Sequence, residues 1–374
     1  MSQIQTESRK ALHELFSLLQ EVDERWAGPE WNLQSEADVA GAHRALLHLL
    51  EGGLVGFFEG DPRAPRFRRI VTPTRKFTGD NADAIYYDAP ISPDLEYAIR
   101  GRMDGAAYVS FTVECDNADG RMASRTSGVL NDTQFDVDAE GRFEIRLGGV
   151  PAARNWLPLE ADATRITTRH YYENEVSAAA DPTRHAALEI LPLVPAPPPA
   201  TPDDASVARG IRRVACFLRS RTLDQPPMAD NPEQPPFVSR VPNQFPKPVK
   251  PGDFGLAAFD AAYAMAPYVL GPDDALVMRG HWPTCRCANV SLWNRHMQTY
   301  DFANRQVSRN RSQTTLEPDG SFRIVLAHRD PGCSNWIDTE TRPFGLVFWR
   351  FMLPEGELET PQAEVVPFQE IAGR

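Results

Sequence analysis

Residues 6–26 place Ala11, Leu12, Leu15, Phe16, Leu19 and Val22 at helical spacing, with Thr6 or Ser8 positioned to cap the start. A second helix is expected after Ser35. Glu36 and Asp38 stand in its first turn, where they suit the helix dipole, and Ala42, Leu46, Leu47 and Leu50 share one side. Gly52-Gly53 ends it. This αα-hairpin is expected to pack as a lid on a sheet. From Pro73 the period shortens. Apolar runs at 84–87, 95–99, 107–113 and 143–147 are broken by Asp, Asn, Gly and Pro, the texture of antiparallel β structure. Asp138-Ala139-Glu140-Gly141 and Glu317-Pro318-Asp319-Gly320 read as hairpin turns whose glycine supplies a positive φ.

The β pattern is written twice. Arg100-Gly101, the run 130–145 and Asn155-Trp156 return as Arg279-Gly280, the run 309–324 and Asn335-Trp336, at an offset of 179 residues that slips by one before the Asn-Trp pair. Between the copies, 15 of the 33 prolines fall from Pro192 to Pro251, which excludes regular structure over most of that stretch. Asp203-Asp204 start a helix through about residue 223 with Val207, Ile211, Val214, Ala215 and Leu218 on one stripe. A further helix is expected over 254–268, after a proline-rich arm at 226–251. The pattern therefore predicts an α+β, β-rich chain: two related antiparallel β units, each preceded by a helical hairpin. The expected divisions are a helical hairpin at 1–60, a first β unit at 61–190, a proline-rich linker with two helices at 191–270, and a second β unit at 271–374. The arm is a candidate surface for a homo-oligomer.

Composition changes little in that picture. Of 374 residues, 42% are hydrophobic and 24% charged, an ordinary globular balance. No run approaches the roughly 20 apolar residues of a bilayer span, and the first residues lack the layout of a secretory signal. The expectation is a cytoplasmic protein without a membrane partner. A net charge of −12 argues against nucleic acid, whose phosphates demand Lys and Arg. One basic run, Arg63, Arg66, Arg68, Arg69, Arg75 and Lys76, reads as a solvated loop, with an anion site as the alternative. Five scattered cysteines form no disulfide framework, and Cys285 and Cys287, two apart on a strand, read as buried packing. The Gly-rich, P-loop, nucleophile-elbow and zinc-helix motifs are missing, so neither cofactor nor metal is expected.

The runs at 79–101 (GDNADAIYYDAPISPDLEYAIRG) and 319–332 (DGSFRIVLAHRDPG), with NWIDT at 335–339, resemble the DUF1214 family, an uncharacterised bacterial family often joined to a DUF1254 region. The resemblance is specific over 279–350 and weaker over 79–158. It implies jelly-roll-like β-sandwich sheets with helical decoration. It implies no activity and carries over no catalytic residue.

Candidate chemistry follows from the mismatches between the copies. His328, Arg329 and Asp330 at a strand end, with Asp338 beyond Asn335-Trp336, have no counterparts in the first copy. His328 could move a proton, Asp330 or Asp338 could orient it, and Arg329 could hold an anionic oxygen. The alternative is that Asp330 shapes a turn and Arg329 forms a structural ion pair. His281 is a second candidate base. If 291–301 is a strand, Trp293, Arg295 and Met297 share one face, and Asn294, His296 and Gln298 the other. Asn294, His296 and Tyr300, with Trp293, Asn335 and Trp336, are the candidate substrate contacts. Asn335 and Trp336 also suit an architectural role, because both copies keep them. Asp80-Asn81-Ala82-Asp83, with Tyr86 and Tyr87, could reach over the site to clamp a small ligand or simply turn the chain. His170 falls opposite Arg350 in this alignment and reads as a sheet residue. Together these features lead to an expected cofactor-independent enzyme. It would use acid–base chemistry of lyase, isomerase or hydrolase type on a small, largely apolar molecule held in a β-sandwich cavity. The alternative is a non-catalytic binder of carbohydrate or another small molecule.

Overall fold

Caps fix where the helices begin. The computed structural model describes residues 4–195, 197–198, 200–225, 227, 234–252 and 258–371. In it α1 (Glu7–Arg25) starts at Thr6, whose side chain accepts from the Arg9 amide. Helix α2 (Glu36–Gly53) starts at Ser35, which accepts from the Asp38 amide. Helix α3 (Asp204–Arg221) starts in a capping box of Asp203 and Ser206. Leu15, Leu18 and Val22 of α1, Leu46 and Leu49 of α2, and Val214, Phe217 and Leu218 of α3 form one buried cluster. Helix α3 therefore completes the N-terminal helical group and does not open a second hairpin.

The expected helix over 254–268 is corrected. Residues 253–257 lie outside the described residues, and Ala261–Val269 is strand β10. Its AAYAMAPYV sequence has good helix formers but buries both faces, and burial on both sides overrides propensity. Pro267 is tolerated because β10 is an edge strand. The described part of the proline-rich arm runs along that edge. Ser239 donates its amide to the Met265 carbonyl, and Val249 and Tyr263 bond each other's backbones. An exposed edge is thereby covered by the chain's own segment.

The first β unit consists of β1 (Arg68–Arg69), β2 (Ala84–Pro90), β3 (Tyr97–Arg102), β4 (Tyr108–Cys115), β5 (Arg125–Asn131), β6 (Arg142–Leu147), β7 (Trp156–Leu157), β8 (Ala163–Tyr171) and β9 (Leu188–Pro192). The second has, besides β10, β11 (Asp274–Gly280), β12 (Cys287–Trp293), β13 (Ser308–Asn310), β14 (Phe322–Ala327), β15 (Trp336–Asp338), β16 (Phe344–Met352) and β17 (Gln362–Pro367). The sheets run β1-β2-β8-β4-β5 and β7-β6-β3-β9 in the first unit, β10-β16-β12-β13 and β15-β14-β11-β17 in the second. Apart from β1 the orders are the same, so the sequence repeat is a repeat of topology. Gly141 and Gly320, at φ of 78° and 85°, occupy matching turns.

Each unit buries a core between its two sheets. Ile99, Val109, Phe111, Ile145 and Ile166 mark the first, and Leu276, Val290, Ile324, Val347 and Trp349 the second. A third cluster joins the units. Ala84, Tyr108 and Tyr171 of the first pack against Tyr263, Met265, Trp293, Phe348 and Met352 of the second. The β2-β8-β4 face and the β10-β16-β12 face therefore meet.

Two polar contacts across this junction mirror each other. Asn310 Nδ2, at the end of β13, donates to Asp83 Oδ1 just before β2 at 3.1 Å. Asn131 Nδ2, at the end of β5, donates to Asp260 Oδ2 just before β10 at 2.7 Å. Equivalent residues reach in opposite directions, as in an isologous dimer interface.

Candidate functional site

Alternation along β8 sends Ile166, Thr168 and His170 into the first core and puts Arg165, Thr167, Arg169 and Tyr171 on the opposite face. There Tyr171 meets the second unit, and Arg165 meets the helical group at Gly56 and Phe57. From the facing sheet come Tyr263 and Met265 of β10, Phe348 and Arg350 of β16, and Trp293 of β12. The helical group closes one side with Trp26, Trp31, Phe57, Phe217 and Arg221. The result is a crevice of about 490 Å³ between the units, within the size range of small-molecule sites.

Its charge reverses that of the whole molecule. Eight arginines line it (Arg68, Arg69, Arg75, Arg165, Arg169, Arg221, Arg295 and Arg350) against three carboxylates, Asp80, Asp88 and Glu114. Register explains two of these arginines. Across β2-β8-β4, Tyr86 pairs with Arg169 and Arg169 with Ser110. Across β10-β16-β12, Tyr263 pairs with Arg350 and Arg350 with Asn289. Arg350 thus repeats Arg169. The alignment opposite His170 is corrected by one residue, because the loop before β16 carries an additional slip. His170 lies in the first core, where burial pushes its imidazole down to about 4.

Arg350 is the centre of the crevice. It is 4% exposed, and its Nη2 donates to the Gly79 carbonyl at 3.3 Å. Nε and Nη1 have no hydrogen-bond partner among the described residues. Aromatic faces surround it: Phe348 at 4.7 Å, Tyr263 at 5.7 Å, Trp293 at 5.9 Å and Tyr171 at 6.0 Å. A guanidinium stays charged under all ordinary conditions, and rings compensate it only partly. Tyr86 and Tyr263 are kept protonated by burial, which pushes Tyr263 up to about 12, so both phenols remain donors. Farther along the crevice Arg165 forms an ion pair with Asp88 and lies 4.0 Å over the Phe57 ring. Arg68 lies 3.4 Å from the same carboxylate.

Of the sequence-predicted contacts, Trp293 and His296 line this crevice. Trp293 stacks on Phe348 at 4.3 Å and donates its indole N–H to the Asp80 carbonyl. The expected alternation through 291–301 stops at Trp293, where β12 ends. Asn294 Oδ1 accepts from the amides of His296 and Gln298, Met297 takes a φ of 56°, and a tight turn follows. Trp293, Arg295, His296 and Met297 therefore all face the crevice, while Asn294 shapes the turn. Tyr300 instead joins the second core, its hydroxyl 2.8 Å from that of Tyr268.

The cluster of His328, Arg329, Asp330 and Asp338 does not line the crevice. His328 Nδ1 lies 2.6 Å from the Thr339 hydroxyl. Arg329 pairs with Asp273 and covers the Phe368 ring on the outer face. Asp330 accepts from the Gly332 amide in the turn, and Asp338 pairs with Arg305. Arg329 and Asp330 are exposed at the Pro-Gly turn, whereas Asp338 is buried and His328 half-buried, and the four groups take separate partners.

Asn335 and Trp336 are architectural. Asn335 accepts from Thr315 N and donates to Arg323 O, while Trp336 donates to Ala327 O. In the first copy Asn155 accepts from Asp136 N and donates to Glu144 O, and Trp156 donates to Gly148 O. These are equivalent positions, so the same corner is built twice.

The basic run at 63–76 is not a solvated loop throughout, for Arg69 and Lys76 are buried and Arg68, Arg69 and Arg75 line the crevice. Burial pushes the Lys76 ammonium down to about 7. Asp80, Asn81 and Asp83 are buried in the junction: Thr299 donates to Asp80, and Asn289 donates to Asn81 and Asp83. Burial pushes Asp83 up to about 6. The residues that sequence reasoning missed are Arg165, Arg169, Arg221, Arg350 and Tyr263, while Tyr86 lines the crevice along with Asp80. Aligning the copies strand by strand, with Tyr86-Arg169 against Tyr263-Arg350, was the signal for three of the missed ones.

With this geometry established, comparisons add the following. Residues 287–356 match the family model described as "Protein of unknown function (DUF1214)", a segment that contains Trp293, His296 and Arg350. An uncharacterized protein from Burkholderia cenocepacia shares the fold, at 24% identity and a TM-score of 0.82 over 96% of this chain and 97% of that one. The VPA0106 protein from Vibrio parahaemolyticus aligns at 14% identity and a TM-score of 0.48, over 78% of this chain and 91% of its own. No curated protein matches the chain. Among the described residues no helix is long and apolar enough to cross a membrane.

Proposed function

We propose that this protein binds a small anionic molecule with an apolar body in the crevice between its two β units. The observation that carries this reading is Arg350, a buried guanidinium among aromatic walls with two nitrogens that find no hydrogen-bond partner among the described residues. A buried charge that ring faces and the nearby Asp80 carboxylate compensate only in part is costly, and a ligand carboxylate at Nε and Nη1 would offset that cost through charge-assisted bonds. The rings of Trp293, Phe348 and Phe237 would cover the apolar body. The arginine excess favours an anion over a neutral sugar. In this reading each unit is a jelly-roll-like sandwich, supported by the order β2-β8-β4-β5 against β6-β3-β9 and its repeat in the second unit.

Acid–base turnover is the second reading, and one observation favours it. His296 opens on the same crevice with no partner for either ring nitrogen among the described residues. Burial, with the Arg295 charge adding to it, pushes its imidazole down to about 3, so it is neutral and available as an acceptor.

Calorimetric titration with decanoate tests the proposal. The wild type is expected to bind, and Arg350→Met to bind at least about tenfold more weakly, the loss of a charge-assisted pair. Equal affinity in both proteins would overturn it, as would absence of binding to the wild type.

A further inference from the structure

We infer that the ligand carries two anionic groups, one at each end of an apolar spacer, with Arg350 holding the first and Arg221 the second. This rests on the reading of the crevice as an anion site and adds the class of molecule that fits it.

Arg221 is the last residue of α3, 9% exposed, and lines the same crevice as Arg350. Its Nε is buried without a hydrogen-bond partner among the described residues. The guanidinium is held over the rings of Phe77 and Phe217, at 5.1 and 5.6 Å. Burial pushes it down to about 10, yet it remains a cation at neutral pH. Ring faces alone rarely retain such a charge in a protein interior.

The charges around it leave room for an anion. Arg68 and Arg165 already share Asp88. Glu114, the carboxylate electrostatically coupled to Arg221, accepts from the Thr167 hydroxyl and from Asn117 Nδ2. Three guanidiniums at this end of the crevice thus face two carboxylates that are already hydrogen-bonded.

Strand register gives the spacing. Glu114 and Arg165, the two charges that act on Arg221, pair with each other across β4 and β8. Tyr86, which faces Arg350, pairs with Arg169. Rows 165 and 169 are four residues apart on one strand, roughly 13 Å at 3.3 Å per residue. Apolar lining is present at both ends, Phe57 beside Arg165 and Phe217, and Phe237 and Met265 beside Tyr263 and Phe348, which suits a hydrocarbon spacer. A dicarboxylate with a medium-length methylene chain meets these requirements.

The test titrates the full-length protein with decanoate and with the straight-chain dicarboxylates of six, ten and fourteen carbons. One dicarboxylate is expected to bind at least about tenfold more tightly than decanoate, the gain of one charge-assisted pair. Arg221→Met should abolish that gain, bringing the dicarboxylate to the affinity that decanoate shows for the same variant. Arg221→Lys, which keeps the charge without the fork, should give an intermediate affinity and guards against a folding defect in the first variant. No gain for any dicarboxylate would overturn the inference, as would dicarboxylate binding indifferent to Arg221→Met. If decanoate binding ignores Arg350→Met, the anion-site reading itself fails. If decanoate responds to Arg350→Met but no dicarboxylate gains, only the two-headed ligand fails.

Discussion

The imidazole of His296 lies against Trp26, with ring centroids 3.9 Å apart, and near Trp31 at 5.0 Å. Arg295 opposes its protonation and Asp38 favours it, but burial dominates. An unfolded histidine titrates near 6.5 and the native one at about 3. Below pH 6.5 the unfolded chain therefore binds a proton that the folded one refuses. The stability contribution is complete above about pH 6.5 and is lost as pH falls toward 3, an effect on the order of a few kcal/mol. His296→Phe keeps a ring in the stack without the proton. Denaturant unfolding from pH 7 to 4 should show the wild type losing ground to this variant. Parallel curves would show that another group governs the acid limb. Arg350 invites an opposite expectation. If it is retained for a ligand, Arg350→Met leaves the unliganded protein at least as resistant to heat as the wild type, since it removes a buried charge that its surroundings compensate only in part. A clear drop in melting temperature would instead make Arg350 a structural residue.

At the scale of elements, the repeated corner is the informative unit. Asn155 and Asn335 each tie two neighbouring backbone segments to their strand end, through part-buried bonds except for the exposed one from the Asp136 amide, and replacing either removes both ties. Asn335→Ala should cost about 2–3 kcal/mol in chemical unfolding. Asn155 also adopts a φ of 56°, where alanine adds about 1–2 kcal/mol of strain. Asn155→Ala should therefore be the more damaging of the two, and Asn155→Gly should recover the difference. Equal costs for Asn155→Ala and Asn155→Gly would remove the strain argument. The same scale shows where periodicity misleads. Ala261–Val269 has helical composition and became a strand, and the alternation expected through 291–301 gave way to a turn at Asn294. The first was decided by burial on both faces of β10, the second by Asn294 accepting from the His296 and Gln298 amides, with Asp80 holding Trp293 and Thr299 on either side of the turn.

The molecule as a whole behaves as an internal dimer. Asp83 and Asp260 occupy equivalent positions and reach for Asn310 and Asn131, while apolar residues from both units fill the space between them. Such a junction predicts one calorimetric transition for both units, because neither can unfold without exposing the face of the other. Asp83→Ala and Asp260→Ala should each lower that transition, by the equivalent of about 1–3 kcal/mol for stranded buried donors. Two resolved transitions in the wild type would show that the units are energetically independent. The duplicated architecture also explains why the crevice is shared. Each copy contributes a tyrosine–arginine pair from the same register, and a site assembled this way belongs to neither copy alone.

Local pattern in the chain was enough to place the caps of α1, α2 and α3, the glycine turns and the doubled β unit, because each depends on residues within a few positions of one another. The structural use of the Asn-Trp pair was legible for the same reason, as both copies keep it. The crevice was not legible. A strand's alternation says which residues share a face but not what that face meets, and Arg165, Arg169 and Arg350 read singly as ordinary surface arginines. Only the packing of two sheets from opposite halves of the chain, with α3 returned to the N-terminal helices, buried those charges together. Tertiary structure therefore decided where the ligand chemistry lies, since the cost of burying a guanidinium arises only once distant segments have excluded water around it.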